Sequence, residues 1–237
     1  MDDPLYFRQL LCGRDVAAGD ETASQMANQV YLVGDRSSGE AMAVDPAWAV
    51  DDVLDVLSAD GMRLTGVLVT HHHPDHVGGS FASYHVEGLA RLLDRTDVPV
   101  HAHRLEAPWV ERTAGLEGGA VHPHDSGDTV TVGDIPVELL HTPGHTPGSQ
   151  CFLVDGRLVA GDTLFLEGCG RTDLPGSDPE AMYDSLQLLG GLPPDTVVFP
   201  GHRYSMASAG TVAAVREVNA VLKPATREAW LCRFGGH

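Results

Sequence analysis

The chain has few basic residues, since 15 Lys and Arg stand against 33 Asp and Glu, and its formal net charge is −18 at pH 7. Such an excess of negative charge repels phosphate groups, so we expect neither nucleic acid nor an anionic membrane as a partner. No apolar run approaches the roughly 18 residues that a membrane-spanning helix needs. Residues 1–4 also lack the basic and apolar regions that begin a signal peptide. The sequence therefore predicts a cytoplasmic protein.

Paired cysteines are absent as well. The four cysteines lie far apart in the sequence, without a Cys-x-x-Cys pair, so we expect neither a disulfide framework nor a cysteine-based structural zinc site. With 237 residues, of which 43% are hydrophobic and 20% charged, the chain is long and apolar enough to form a packed core. We expect a single domain over residues 1–237, with a short helical C-terminal appendage from about residue 205.

Short apolar runs rich in Val, Ile and Leu recur along the chain, each bounded by Gly, Pro, Asp or Asn, which is typical of β-strands. Helical periodicity appears in four longer segments. Strand meanders occur together with strand–helix–strand units, and this mixture predicts an α/β fold with two central sheets and helices outside. The predicted strands cover residues 30–33, 41–44, 66–69, 98–101, 129–132, 137–140, 151–154, 158–160 and 196–199, and the predicted helices cover 51–60, 84–93, 179–189 and 208–222.

A histidine-rich segment, His-His-His-Pro-Asp-His at residues 71–76, follows one of these predicted strands. His71 and His73 are two residues apart and point the same way in an extended segment. Asp75 and His76 come after a proline and can turn back toward a neighbouring point. Imidazole and carboxylate groups suit zinc, iron, cobalt or manganese, so the segment predicts a metal site.

Three more candidate ligands each follow a predicted strand and are flanked by glycine or proline, which lets the backbone turn sharply toward a site. Strand ends that meet at one edge of a sheet sandwich bring such groups together. The seven candidate metal ligands are His71, His73, Asp75, His76, His145, Asp162 and His202.

This ligand pattern resembles the metallo-β-lactamase-fold superfamily, and its spacing and loop sequences most resemble the glyoxalase II-like (hydroxyacylglutathione hydrolase-like) branch. The resemblance extends from about residue 30 to residue 202. It implies an αβ/βα four-layer sandwich with two divalent metal ions at one edge; zinc is favoured, with iron or manganese as alternatives. It also implies that the first ion is held by His71, His73 and His145, that the second is held by Asp75, His76 and His202, and that Asp162 bridges them.

The implied function is a metal-dependent hydrolase, specifically a thioesterase of glyoxalase II type that uses metal-activated hydroxide. Asp75 is the candidate catalytic residue, either as a ligand of the second metal or as a hydrogen-bond partner that orients the nucleophile. Residues 161–173, however, have two resemblances. Their Gly-Cys-Gly-Arg-Thr-Asp portion is equally similar to the persulfide dioxygenases of the same fold, which use one iron bound by the counterparts of His71, His145 and Asp162. A mononuclear iron persulfide dioxygenase is therefore the alternative, and a non-catalytic metal-binding module is a third interpretation.

The substrate is expected to be a small anionic molecule. Glyoxalase II proteins continue after the last histidine with Glu-Tyr-Thr and a helical domain that helps to bind glutathione, whereas here Arg203-Tyr204-Ser205 is followed by a shorter tail. Arg171, Arg203 and Tyr204 are the candidate contacts for an anionic thioester or persulfide. The apolar residues near the end of the chain leave the oligomeric state open, a dimer included.

Other polar residues have structural interpretations. His72 is expected to point away from the ligands, and Asp45 resembles a buried aspartate that supports the metal loop without binding the metal. Packing or solvated roles are expected for His101, His103, His122, His124 and Cys169.

Overall fold

A computed structural model describes residues 3–81 and 84–235 of the chain. The first sheet has six strands in the order β1-β2-β3-β4-β7-β8. The elements of this half are β1 (Leu5–Leu11), α1 (Glu21–Met26), β2 (Gln29–Asp35), β3 (Glu40–Val44), α2 (Val50–Ala59), β4 (Arg63–Leu68), α3 (Pro74–Val77), β5 (Gly79–Phe81), β6 (Tyr84–Val86), α4 (Leu89–Arg95), β7 (Val100–His103), α5 (Ala107–Ala114) and β8 (Val121–His124).

The second sheet also has six strands, in the order β16-β15-β12-β11-β10-β9. Its β12 and β15 are parallel, and their crossover contains helix α6. The elements of this half are β9 (Thr129–Val132), β10 (Ile135–His141), β11 (Gln150–Val154), β12 (Arg157–Gly161), β13 (Leu164–Phe165), β14 (Gly168–Cys169), α6 (Pro179–Gly190), β15 (Val197–Pro200), β16 (Gly210–Thr211), α7 (Val212–Val218), a 3-10 turn (Ala220–Leu222) and α8 (Arg227–Phe234).

Three apolar clusters stack these elements into four layers. One cluster lies between the two sheets, where residues such as Val33 and Leu68 meet Leu139 and Phe152. A second cluster packs α2, α4 and α5 on the outer face of the first sheet, and a third packs α6, α7 and α8 on the outer face of the second sheet. The predicted α/β sandwich, with its sheets inside and its helices outside, is therefore confirmed.

Two of the predicted helices are partly wrong. Residues 84–86 form strand β6, and helix α4 begins only at Leu89, after an extended Gly88. Residues 208–222 contain the short strand β16, helix α7 and a separate 3-10 turn, because the helix ends at Asn219, whose side chain caps the turn that follows. Among the described residues, no helix has both the length and the apolar character needed to cross a bilayer.

Candidate metal centre

All seven candidate ligands lie at one edge of the sandwich, each just after a strand or in the turn that follows it. His71 and His73 follow β4, while Asp75 and His76 lie on the short helix α3. The other three follow the second-sheet strands β10, β12 and β15. Since β12 and β15 are parallel, their carboxyl ends meet at the same edge, and the loops there turn toward the first sheet. The fold thus brings together residues that are up to 131 positions apart (202 minus 71).

The first set of donor atoms consists of three imidazoles. His73 Nδ1 lies 3.1 Å from His71 Nε2 and 3.0 Å from His145 Nε2. The three donor atoms all lie within 4.8 Å of one another, which is close enough for one cation to contact them all. His71 and His145 are buried and His73 is partly buried. We call His71, His73 and His145 the first set.

The second set combines one carboxylate with two imidazoles. His76 Nε2 lies 3.2 Å from His202 Nε2, and Asp75 Oδ2 lies 3.5 Å from the former and 3.3 Å from the latter. All three residues are buried. Asp75, His76 and His202, called the second set below, therefore offer a compact triangle of nitrogen and oxygen donors.

Asp162 faces both sets. Its Oδ1 lies 3.5 Å from His76 Nε2, and its Oδ2 lies 3.3 Å from His202 Nε2 and 3.8 Å from His145 Nε2. Oδ1 is buried and has no hydrogen-bond donor. An ionised oxygen in this situation is costly unless a cation satisfies it, so the residues present fit a divalent metal ion between the sets.

Two histidines of the first set, His71 and His73, are held neutral. Burial, reinforced by His76 and His73, lowers the pKa of His71 well below its usual range. Burial and the neighbouring His145 lower the pKa of His73 to about 4. Neutral imidazoles keep the lone pair that a cation needs.

The second set has the opposite electrostatics. Burial opposes protonation of His76, but Asp75 and Asp162 outweigh it and raise its pKa to about 9. Burial likewise opposes ionisation of Asp75, but His76 and His202 hold the pKa of its carboxyl well below the usual range. The second set is thus an array of paired opposite charges, whereas His71 and His73 of the first set are uncharged.

The ring nitrogens that face away from the centre have their own partners, as metal-binding histidines usually do. His76 Nδ1 lies 2.9 Å from Asp45 Oδ2, and His71 Nδ1 lies 2.9 Å from Thr70 Oγ1. The other two rings donate to backbone oxygens: His145 Nδ1 to Arg171 at 2.9 Å, and His202 Nδ1 to Met26 at 2.7 Å. These contacts leave Nε2 of all four rings directed at the centre. Asp45, as its sequence context predicts, lies behind a ligand.

Glu106 is a functional candidate that reasoning from sequence alone does not select. It is fully buried, and its carboxylate accepts from the backbone N–H groups of His72 (2.9 Å) and Gly148 (2.8 Å) and pairs with the His72 ring. Glu106 therefore ties the loop of His71 and His73 to the loop that carries His145. A single glutamate before helix α5 has no local signature of this role.

The three predicted substrate contacts do not line one pocket. Arg171 lies beside a cavity of about 570 Å³, and its guanidinium is paired with Asp173 at 2.8 and 2.9 Å. Arg203 lines a different cavity, of about 310 Å³. Tyr204 lies closest to the ligands, since its ring stacks on His202 with centroids 4.8 Å apart.

Comparison with known proteins agrees with this geometry. The metallo-beta-lactamase superfamily matches residues 25–202. The probable polyketide biosynthesis zinc-dependent hydrolase BaeB of Bacillus velezensis is 32% identical over 78% of this chain and 77% of its own length. The hydroxyacylglutathione hydrolase of Xanthomonas campestris pv. campestris is 36% identical over 83% of this chain and 69% of its own. The crystal structure of ETHE1 from Myxococcus xanthus matches with a TM-score of 0.79 and 30% identity, covering 97% of this chain and 90% of that one. This chain belongs to the metallo-beta-lactamase superfamily.

Proposed function

We propose that this protein is a hydrolase that cleaves a thioester or a related acyl compound at two divalent cations, one at each set. The observation that carries the proposal is the pair of complete donor sets with Asp162 directed at both. The first set offers nitrogen donors, the second set and Asp162 add oxygen donors, and neither set contains sulfur, which suits zinc and also iron or manganese. The relatives BaeB and hydroxyacylglutathione hydrolase support a hydrolase, and the name of BaeB specifies zinc.

The chain's own groups would prepare the reaction. When bound, the cations would activate water at neutral pH and polarise the acyl carbonyl. Asp75 is ionised and is held at Oδ2 by the Asn28 amide at 3.0 Å, so it can orient the attacking water or bind the second cation. Asp162 directs Oδ1 at the second set and Oδ2 between the two sets, and the buried surroundings of the candidate ligands strengthen every charge interaction there.

The substrate would approach beside Tyr204, the predicted contact that lies against a ligand ring. Arg171 is a further candidate contact, but its charge is already paired with Asp173, so an anionic group would share the guanidinium with that carboxylate. Arg203 would reach only a substrate portion that extends into its separate cavity. We therefore propose a thioester whose acyl group, and not its anionic carrier, is the part held closest to the centre.

The test is whether the zinc-loaded chain hydrolyses thioesters, and the measured quantity is the free thiol that hydrolysis releases. The panel should include a 2-hydroxyacyl thioester of glutathione and the same acyl group on a small neutral thiol. We expect turnover of at least one of them at neutral pH, with about two cations per chain by elemental analysis. A chain that binds two cations and releases no thiol from any member of the panel would contradict the proposal.

A second candidate is a persulfide dioxygenase with a single iron. The segment that resembles such enzymes lies directly against a ligand: a Cβ added at Gly170 would lie 2.9 Å from the His145 ring, and Arg171 O bonds His145 Nδ1. The similarity to ETHE1 is consistent with this candidate. About one iron per chain, together with oxygen uptake in the presence of a low-molecular-weight persulfide, would favour it. Iron-loaded protein that takes up no oxygen would exclude it.

A further inference from the structure

Asn28 is a buried amide that contacts every donor atom of the second set. Its Nδ2 lies 3.0 Å from Asp75 Oδ2, 3.3 Å from His76 Nε2 and 3.5 Å from His202 Nε2. Its backbone also forms a β-bridge with His202, so the amide cannot drift from this position without moving a ligand. Asn28 is 2% exposed, and its polar atoms must therefore be paired within the protein.

Trp48 determines which end of the Asn28 amide faces the second set. An indole N–H can only donate, and Trp48 Nε1 lies 3.1 Å from Asn28 Oδ1. The amide oxygen is thus held on the Trp48 side, and the NH₂ group is directed at the carboxylate of Asp75. Trp48 Nε1 also lies 3.1 Å from the backbone oxygen of Asp75. One indole therefore fixes both Asn28 and the helix that carries Asp75.

The backbone of Trp48 is itself held in an unusual conformation. Its φ of 77° lies in the left-handed region, which a tryptophan rarely adopts. The surrounding structure maintains this conformation, since the Trp48 N–H donates to Glu87 O at 2.8 Å and the Glu87 carboxylate accepts from Val50 N at 2.7 Å. The loop between β3 and α2 thus presents the indole N–H at a fixed position.

We propose that Trp48 and Asn28 are positioning residues that hold the second set, and not the first, in the geometry that binds a cation. Asn28 keeps the Asp75 carboxylate aimed beside His76 and His202, and Trp48 keeps the amide from turning its oxygen toward that carboxylate. The first set has separate supports in Thr70 and the backbone of Arg171. The proposal rests on the proposed function in one respect: it assumes that each of the two sets binds a cation. It assumes nothing about the substrate.

The test is calorimetric titration of chelator-stripped, full-length protein with Zn²⁺ alone. The informative variants are Trp48→Phe, which keeps an aromatic ring but loses the N–H, and Asn28→Ala. We expect two binding events in the wild type, and the second-set event is identified as the one that is lost in His202→Ala. In both variants the second-set event should weaken about 10–100-fold, the usual effect of removing a group that orients a ligand, while the first-set event stays within about threefold.

Trp109→Phe is the matched control, because the Trp109 ring packs at a tilt against His72, beside the first set, at a centroid distance of 5.6 Å. It should leave the second-set event unchanged. Equal weakening of both events in Trp48→Phe, no weakening in either variant, or a wild type that binds a single Zn²⁺ would each overturn the proposal. A chain that behaves as expected here but hydrolyses no thioester would refute only the proposed function.

Discussion

This molecule has two groups of histidines, and only one of them directs its ring nitrogens toward common points. The metal centre places donor atoms from two sets around common points. The other group, which we call the edge cluster, lies on β8 at the edge of the first sheet, on the neighbouring strand β7 and at the end of β10; its members are His101, His103, His122, His124 and His141. Within the described part of the chain, no three of its members bring donor atoms within 4.8 Å of one another.

The difference comes from where each group lies on the backbone. The edge cluster lies within strands, where side chains stand beside their neighbours: His101 Nδ1 lies 2.9 Å from His124 Nε2 on the paired strand β8, and His103 stacks at 3.8 Å on His141 of the other sheet. The centre is built from turns at strand ends, which aim side chains inward. It also includes two buried carboxylates. Histidine number alone therefore does not make a metal site; convergence and negative charge do.

The largest expected effect comes from Asp162, the group that faces both sets. In Asp162→Ala we expect turnover to fall by more than about 100-fold, which exceeds the usual effect of losing a residue that only supports a ligand. Cation content should fall as well, because the imidazoles of His76, His145 and His202 lose the carboxylate that they share. Elemental analysis and thiol release measure the two effects.

His124→Ala is the matched control from the edge cluster, and its turnover should stay within about twofold of the wild type. If both variants lost activity equally, the distinction between the two groups of histidines would be wrong.

Glu106 gives the next largest effect and lies between the two regions, since its N–H bonds His103 O and its carboxylate bonds the loop of His72. Glu106→Ala leaves two buried backbone N–H groups unpaired, so we expect the free energy of unfolding to fall by about 3 kcal/mol. Turnover should fall about 10–100-fold, because the loops of both His73 and His145 lose their connection. Urea unfolding and thiol release measure these changes.

Glu117→Ala, at an exposed glutamate in the loop after α5, is the control and should change neither quantity. A Glu106→Ala variant that is destabilised but keeps full turnover in its folded fraction would show that Glu106 supports the fold and not the centre.

Much of the architecture could be predicted from sequence, because alternating apolar runs bounded by glycine and proline mark strands in any context. Strand β8 escaped this rule: its sequence, Val-His-Pro-His, is typical of a loop, yet an edge strand tolerates Pro123. The candidate ligands could be selected from sequence because four of them are local neighbours. Glu106 and Asn28 could not, since their partners lie 34 and 47 residues away. Local spacing reveals ligands, whereas the groups that orient them depend on the tertiary fold.

The edge cluster should make the free energy of unfolding depend on pH. Burial, followed by His124 and His122, lowers the pKa of His101 to about 4, and burial with His141 lowers that of His103 to about 4. The unfolded chain, with a histidine pKa near 6.5, therefore binds more protons between pH 4 and 6.5. The two histidines therefore leave the free energy of unfolding undiminished above pH 6.5, and they lower it progressively as the pH falls toward 4.

After allowance for partial exposure of His101, we expect the pair to make the wild type about 2 kcal/mol less stable at pH 5 than at pH 7. The measurement is the difference in this pH dependence between the wild type and His101→Gln/His103→Gln, because the ligands of the centre titrate equally in both. Identical pH dependence in the two proteins would contradict the assignment.

The smallest expected effect is at His122, the exposed member of the edge cluster. Its ring contacts only His101, at a centroid distance of 5.5 Å, among the described aromatic pairs. His122→Ala should change the free energy of unfolding by less than about 0.5 kcal/mol, as is usual for an exposed position. The cation content per chain should not change, because the variant leaves both sets of the centre intact. A variant that lost one cation would mean that the edge cluster turns its rings to a shared ion in solution, and the contrast between paired and convergent histidines would then fail.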